Sequence, residues 1–199
     1  MSTAAERALV GVVIPIRSFI DAKARLAVDL PGATRGAFVQ LLAERVVAAA
    51  GRMPVVIVTQ SPEVAIWAEK QGLTVVVDSG GGLSEAATLG RDFFAGQGFE
   101  RVIVAHGDLP FCEELSSLGF DQPAARVLLA PCHRTDGTNI CSVPARAAFE
   151  FSYGPGSFAR HKAEVERLGL DLEVVTRDDL AFDVDTPEDL ATYNARKSS

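Results

Sequence analysis

The sequence predicts an α/β fold, a mostly parallel sheet flanked by helices, and three observations predict it. Apolar runs of strand length recur at Val10 to Ile16, Val55 to Thr59, Thr74 to Val77 and Val102 to Ala105. Segments of helical periodicity separate them, which is the alternation of βαβ units on a parallel sheet. Helix-end signals fall between the runs where that reading needs them.

Taken in order, the first helix opens at Thr34 or a neighbour and closes at Gly51. Ser61 with Pro62 opens the second, and Gly72 stops it, because glycine adopts the left-handed cap at little cost. Gly80-Gly-Gly82 leads into a third helix from about Ser84 to Ala95. After Pro110 the pattern changes. Arg126 to Ala130, Asn139 to Val143 and Glu173 to Thr176 read as further strands between longer loops, so the second half is elaborated for substrate binding. Thr186-Pro-Glu-Asp189 is a helix start with an acidic first turn, and the tail from Arg196 is expected to fray.

With 199 residues, 48% of them apolar, the chain suits one domain, 1–199, with a sizeable core. A net charge of −7 argues against a nucleic-acid surface, which needs clustered Lys and Arg, but leaves small anions as ligands. Met1 to Ala8 carries Glu6 and Arg7 and reads as neither a signal peptide nor a membrane start. No apolar run reaches the roughly 18 residues of a membrane span, so the expected location is the cytoplasm. Cys112, Cys132 and Cys141 lack paired spacing and read as buried free thiols.

The last third carries the chemistry. Asp136-Gly-Thr-Asn139, Tyr153-Gly-Pro-Gly-Ser-Phe158 and Asp183-Val-Asp-Thr-Pro187 follow one another at loop and strand intervals. Gly154 and Gly156 free the backbone for close approach to an anion, and Ser157 stands where a helix N-cap would point first-turn N–H groups at a phosphate. Thr138 and Asn139 add a hydroxyl and an amide, or are simply strand residues after an Asp-Gly turn. His161 and Lys162 add charge to the same pocket or lie on a solvated helix face.

Asp108 follows the apolar run to Ala105 closely, at a strand C-terminus where Mg²⁺ could bridge phosphate oxygens; the alternative is a turn Asp before Leu109-Pro110. Asp183 and Asp185 alternate along a short strand, so only one faces a given side. Asp185, nearer the helix start, is the preferred metal ligand and Asp183 the structural one, unless both only cap the helix. Arg17, Lys23 and Arg25 follow the first strand and converge on the crevice of a parallel sheet, or are surface charges. Gly82, Leu83 and Ser84 either cover a nucleotide base or form a loop with a cap at Ser84. Neither a dinucleotide fingerprint nor a P-loop is present.

In this order, Pro15-Ile-Arg17, Ala22-Lys-Ala-Arg-Leu26, Gly107-Asp-Leu-Pro110, Asp136-Gly-Thr-Asn139, Gly154-Pro-Gly-Ser-Phe158 with Arg160-His161, and Asp183-Val-Asp-Thr-Pro187 resemble one family. It is the 2-phospho-L-lactate guanylyltransferases of coenzyme F420 biosynthesis, which include phosphoenolpyruvate guanylyltransferases. The resemblance implies a nucleotide-diphospho-sugar transferase-like fold, related to the molybdenum-cofactor guanylyltransferases. It implies transfer of GMP from GTP to a small phosphorylated acid: phosphoenolpyruvate, 2-phospho-L-lactate or 3-phospho-D-glycerate. By the same resemblance Thr138, Gly154 and Ser157 hold the acceptor, Asp108 and a later Asp hold magnesium, and the product passes to a downstream transferase of the F420 pathway. Two positions depart from the family: Arg17, where Lys is common, and Ser84, where Asn is usual. Ser84-Glu85 and Cys141-Ser142 are therefore expected to make the acceptor pocket more polar. Competing readings are a nucleotidyltransferase for molybdopterin or a sugar phosphate, and a non-catalytic nucleotide-binding subunit.

Overall fold

A computed structural model describes residues 9–198; the segment Met1 to Ala8 lies outside them. Seven strands form one sheet in the order β3-β2-β1-β4-β6-β5-β7. They are β1 (Val10–Pro15), β2 (Val55–Thr59), β3 (Thr74–Val77), β4 (Arg101–Ala105), β5 (Arg126–Pro131), β6 (Thr138–Pro144) and β7 (Asp171–Val174). The first four run parallel, as their largely apolar runs suggest. β6 is antiparallel to both β4 and β5. The short 132–137 connection dictates this, because two strands joined so tightly can only form a hairpin.

Among the described residues the α-helices are α1 (Gly32–Ala49), α2 (Pro62–Lys70), α3 (Leu83–Gly96), α4 (Ser157–Arg167), the single turn α5 (Asp178–Ala181) and α6 (Pro187–Lys197), most of them packed on the faces of the sheet. Alternation along each strand divides the core in two. Val10, Val12 and Ile14 of β1 join Val39, Ala43 and Val46 of α1 and Trp67 of α2 on one face, whereas Val13 joins Ala87 and Phe94 of α3 on the other. Cys112, Cys132 and Cys141 are buried free thiols, as expected.

Four local expectations are corrected. Strand β7 begins two residues earlier than the sequence suggested, because α4 ends at Arg167, Gly169 (φ 62°) turns the chain and it pairs at once with β5, Asp171 opposite Arg126. Helix α3 starts at Leu83 with Gly82, not Ser84, as its cap residue. Asp183 and Asp185 lie on extended chain outside the sheet rather than on a strand. Helix α6 does not fray at Arg196: that guanidinium lies 5.0 Å from the Phe182 ring centroid and 5.3 Å from that of Phe111. The expected start of α6 is present, with a capping box between Thr186 and Asp189 and Pro187 at its first position.

Candidate active site

In a parallel sheet the strand C-termini and the loops beyond them form the ligand crevice. Here that edge carries two adjoining cavities. The first, of about 400 Å³, is lined by Arg17 after β1, Gln60 after β2, Gly82 and Leu83 at the start of α3, and His106 and Asp108 after β4. The second, of about 500 Å³, is lined by Arg25, Arg134, Thr138, Gly154, Ser157, Asp183 and Asp185 among others. Leu83, His106 and Asp108 belong to both walls, so Asp108 stands at the junction.

Lys23 occupies that junction too. Its backbone is left-handed (φ 54°), a conformation uncommon for a residue with a Cβ, and its ammonium ion-pairs with both Asp108 and Asp185. Burial disfavours the ammonium, but the two carboxylates outweigh it and hold the Lys23 pKa above the ordinary lysine value. Burial likewise opposes ionisation of Asp108, and Lys23 overcomes it, so this carboxyl sits below the usual range. Asp183 fares differently. Burial, with Asp108 and Asp185 nearby, pushes its pKa up to about 6. Arg17, Lys23 and Arg25 thus do not converge on one point. They divide among the first cavity, the junction and the second.

Among the described residues no three His, Cys, Asp or Glu side chains form a ready-made metal cage. The residues nonetheless fit a magnesium ion, which takes one or two carboxylates and completes its shell with substrate phosphates and water. Asp108 Oδ1 is buried without a hydrogen-bond partner, and Asp185 reaches the same ammonium as Asp108 Oδ2. Asp183 accepts instead from His133 Nδ1 at 3.2 Å.

On the wall of the second cavity Thr138 and Ser157 are buried, their hydroxyls 3.5 Å apart. The expected row of free helix N–H groups is absent. Ser157 N–H donates to Gly154 O, Phe158 N–H to Asp136 O and Gly156 N–H to the Asp136 carboxylate, so Gly156 rather than Ser157 caps the helix. Gly154 (φ 106°) and Gly156 (φ 72°) give the loop its shape, and Arg160 clamps it through the carbonyls of Ser152, Tyr153 and Pro155. Asn139 directs its amide N–H groups to Leu180 O and Ala181 O, both at 3.0 Å, and so fastens α5 beneath the cavity.

Neither His161 nor Lys162 brings charge to this pocket, and Lys162 takes the alternative place on the exposed face of α4. His161 adds no charge: burial, aided by Arg160, lowers its pKa to about 4. Lys162 lies over the Phe158 ring, away from both cavities. Ser84 also lines neither. Its hydroxyl accepts the Tyr153 N–H at 2.9 Å and ties α3 to the glycine loop, while Glu85 accepts from Ser79. Cys141 and Ser142 are wholly buried in the sheet, with Ser142 bonded to Arg101 and Leu118 O, so neither makes the pocket more polar.

Sequence reasoning missed Arg134 and His133. Arg134 donates to both oxygens of Asp189, at 2.8 and 2.7 Å, on the rim of the second cavity. Their place just before Asp136-Gly-Thr-Asn139 was the available signal, because a hairpin turn at a strand end projects its residues over the crevice.

This architecture, with paired cavities meeting at an acidic junction, has the fold of solved nucleotide-diphospho-sugar and nucleotidyl transferases. A cytidylyltransferase from Leptospira borgpetersenii superposes on 96% of this chain and 87% of its own at a TM-score of 0.61, with 15% identity. CMP:2-keto-3-deoxy-manno-octonic acid synthetase covers 95% and 98% at a TM-score of 0.62, with 14% identity. Sequence then narrows the class. The family described as guanylyl transferase CofC like matches residues 10–193, and the chain belongs to it. A phosphoenolpyruvate guanylyltransferase from Sphaerobacter thermophilus is 35% identical over 89% of this chain and 89% of its own. A 2-phospho-L-lactate guanylyltransferase from Methanothermobacter thermautotrophicus is 30% identical over 89% and 81%, and a 3-phospho-D-glycerate guanylyltransferase from Phenylobacterium zucineum 28% identical over 89% and 86%. The protein is a guanylyltransferase. No helix among the described residues is long and apolar enough to cross a membrane.

Proposed function

We propose that the protein transfers GMP from GTP to the phosphate of a small phosphorylated carboxylic acid, releasing pyrophosphate, in coenzyme F420 biosynthesis. Phosphoenolpyruvate and 2-phospho-L-lactate rank first as acceptors, with 3-phospho-D-glycerate next, following the names of the relatives. The product would pass to a downstream transferase of that pathway. The observation that carries the reading is the placement of Asp108 in the shared wall of both cavities. The nucleotide takes the first cavity, against Gly82 and Leu83, and the acceptor takes the second, under Thr138, Gly154 and Ser157.

An acceptor phosphate oxygen attacks the α-phosphorus of GTP in line. A new P–O bond forms, the bond to the β-phosphate bridging oxygen breaks, and pyrophosphate carries away the electron pair. Asp108 and Asp185 would hold Mg²⁺, which when bound draws charge from the α-phosphate. Lys23 is positioned to meet charge developing at the junction, with Arg17 and Arg25 on either side. No general base is required, since the acceptor phosphate is ionised at neutral pH; burial holds the His106 pKa below its ordinary value, which keeps that ring neutral. Catalysis then rests on positioning and electrostatics. The test is a panel of phosphorylated acids with GTP and magnesium, read by pyrophosphate release and product mass. Absence of a guanylylated product from every acid would reject the proposal.

A further inference from the structure

His161 is fully buried under the second cavity, and both its ring nitrogens are engaged. Nε2 lies 2.9 Å from the backbone nitrogen of Ser152, an obligatory donor, so Nε2 must accept. The single proton of a neutral imidazole is then on Nδ1. Nδ1 lies 3.0 Å from Thr138 Oγ1, which therefore accepts from it. A hydroxyl that has accepted one bond still carries a proton of its own. The Thr138 proton has no hydrogen-bond partner among the described residues other than Ser157, whose hydroxyl donates to Thr138 Oγ1 from 3.5 Å rather than accepting, and Thr138, itself buried, lies in the wall of the second cavity.

We infer that His161 is a positioning residue: it fixes a relay from Ser152 N–H through the imidazole to Thr138 Oγ1, which commits the Thr138 hydroxyl to donate into the acceptor cavity. The inference rests on the proposed placement of the acceptor phosphate there. An anion offers only acceptor atoms, so a hydroxyl already turned to donate binds it without first giving up another arrangement. The same constraint explains why the imidazole is buried and neutral rather than exposed and charged. Its function is to fix a direction, and a second positive charge would require the Nε2 site to donate toward an N–H that also donates. The depressed His161 pKa fits this role.

Two measurements test it. The first needs no turnover: ¹⁵N shifts of His161 identify which ring nitrogen is protonated, and titration with inorganic phosphate should move the Thr138 resonances. A proton on Nε2, or phosphate binding that leaves Thr138 unmoved, would overturn the inference. The second uses substitutions. His161→Phe removes the donor, and His161→Asn keeps an N–H donor near the Nδ1 position. His161→Phe should raise the acceptor KM about 10- to 100-fold, the range for a lost bond to a charged group, with GTP binding nearly unchanged. His161→Asn should recover most of that loss. Combining His161→Phe with Thr138→Val should add little to Thr138→Val alone, since one group acts through the other. If a folded His161→Asn is as impaired as His161→Phe, or if the double variant is additive, His161 acts only through packing and the inference fails. Wild-type protein that guanylylates no acid would reject the functional reading instead, and the phosphate titration would still decide the relay.

Discussion

The Asp183 carboxylate is held in an unfavourable place, and relieving it should stabilise the fold. Asp183 is buried beside Asp108 and Asp185, and its pKa rises from 3.8 to about 6. Between those two values the folded protein binds a proton that the unfolded chain does not. Stability from this group is therefore fully present below pH 3.8 and is lost as pH rises through about 6. At about 1.4 kcal/mol per pH unit, the ionised form costs the native state up to about 3 kcal/mol at neutral pH. Asp183→Asn keeps an acceptor for His133 Nδ1 and removes the repulsion; the raised pKa already includes the attraction to Lys23, so a gain of up to about 3 kcal/mol follows. For a chain of this length that corresponds to roughly 6–12 °C in Tm. Thermal unfolding of wild type and variant, followed by circular dichroism in chelator from pH 4.5 to 8, measures it. The Tm difference should be smallest at the acid end, grow toward pH 6 and level off above 7. A difference independent of pH, or a wild type more stable than the variant at pH 7.5, would refute the reasoning.

Further outcomes follow from the same geometry. Asp108→Asn should lower kcat at least about a hundredfold and move Tm by only a few degrees, because it frees Lys23 for Asp185 while easing the repulsion on Asp183; initial rates with magnesium and calorimetry check both. Thr138→Val and Ser157→Ala should each weaken the acceptor by about 1.5–3 kcal/mol and leave GTP binding largely intact, as separate titrations with each ligand would show. Gly82 has φ 91° and ψ −176°, a region nearly closed to other residues, and no atom within 4 Å of a Cβ placed there. Gly82→Ala should then cost about 1–3 kcal/mol through backbone strain alone and raise the KM for GTP more than that for the acceptor. Arg17→Gln should act chiefly on the KM for GTP and Arg25→Gln on that for the acceptor, since each lines only one cavity; a steady-state matrix of both substrates separates them.

The parallel half of the fold was legible because β1, β2 and β4 are buried on both faces and read as unbroken apolar runs. The half-exposed edge strand β7 was not, since Asp171-Leu-Glu-Val174 carries no such run and its start is set by pairing with β5. Likewise the sequence placed Thr138, Gly154 and Ser157 together, but motif spacing could not say which donors remain free. Asp136 takes two of the N–H groups that the helix start seemed to offer, a tertiary fact invisible in the local pattern. Asn139 illustrates the same limit: an amide in a ligand motif spends its donors on a helix turn some forty residues later. Arg134 was missed for a related reason, because nothing in its neighbours announces the salt bridge to Asp189.

The division of Arg17, Lys23 and Arg25 resolves an electrostatic difficulty. Two anionic ligands must meet at a junction that already holds carboxylates, and two unit charges about 4 Å apart repel by about 4 kcal/mol at an effective dielectric of 20. Cations scattered over separate elements could offset this, but their spacing would then depend on every element's position. Here one segment, the loop after β1, supplies a cation to the first cavity, a cation to the junction and a cation to the second. Arg134 and Lys23 contribute less to the ligands, because Asp189 already balances the first and Asp108 with Asp185 the second, whereas Arg17 and Arg25 form no salt bridge among the described residues. The left-handed turn at Lys23 is the local cost of sending its side chain inward while its neighbours two and six residues away serve the rims. On the proposed placement of the two substrates, a loop that touches both cavities and the carboxylates between them would offset their repulsion from one segment, with Lys23 balancing Asp108 and Asp185 and Arg17 and Arg25 left to meet the phosphates.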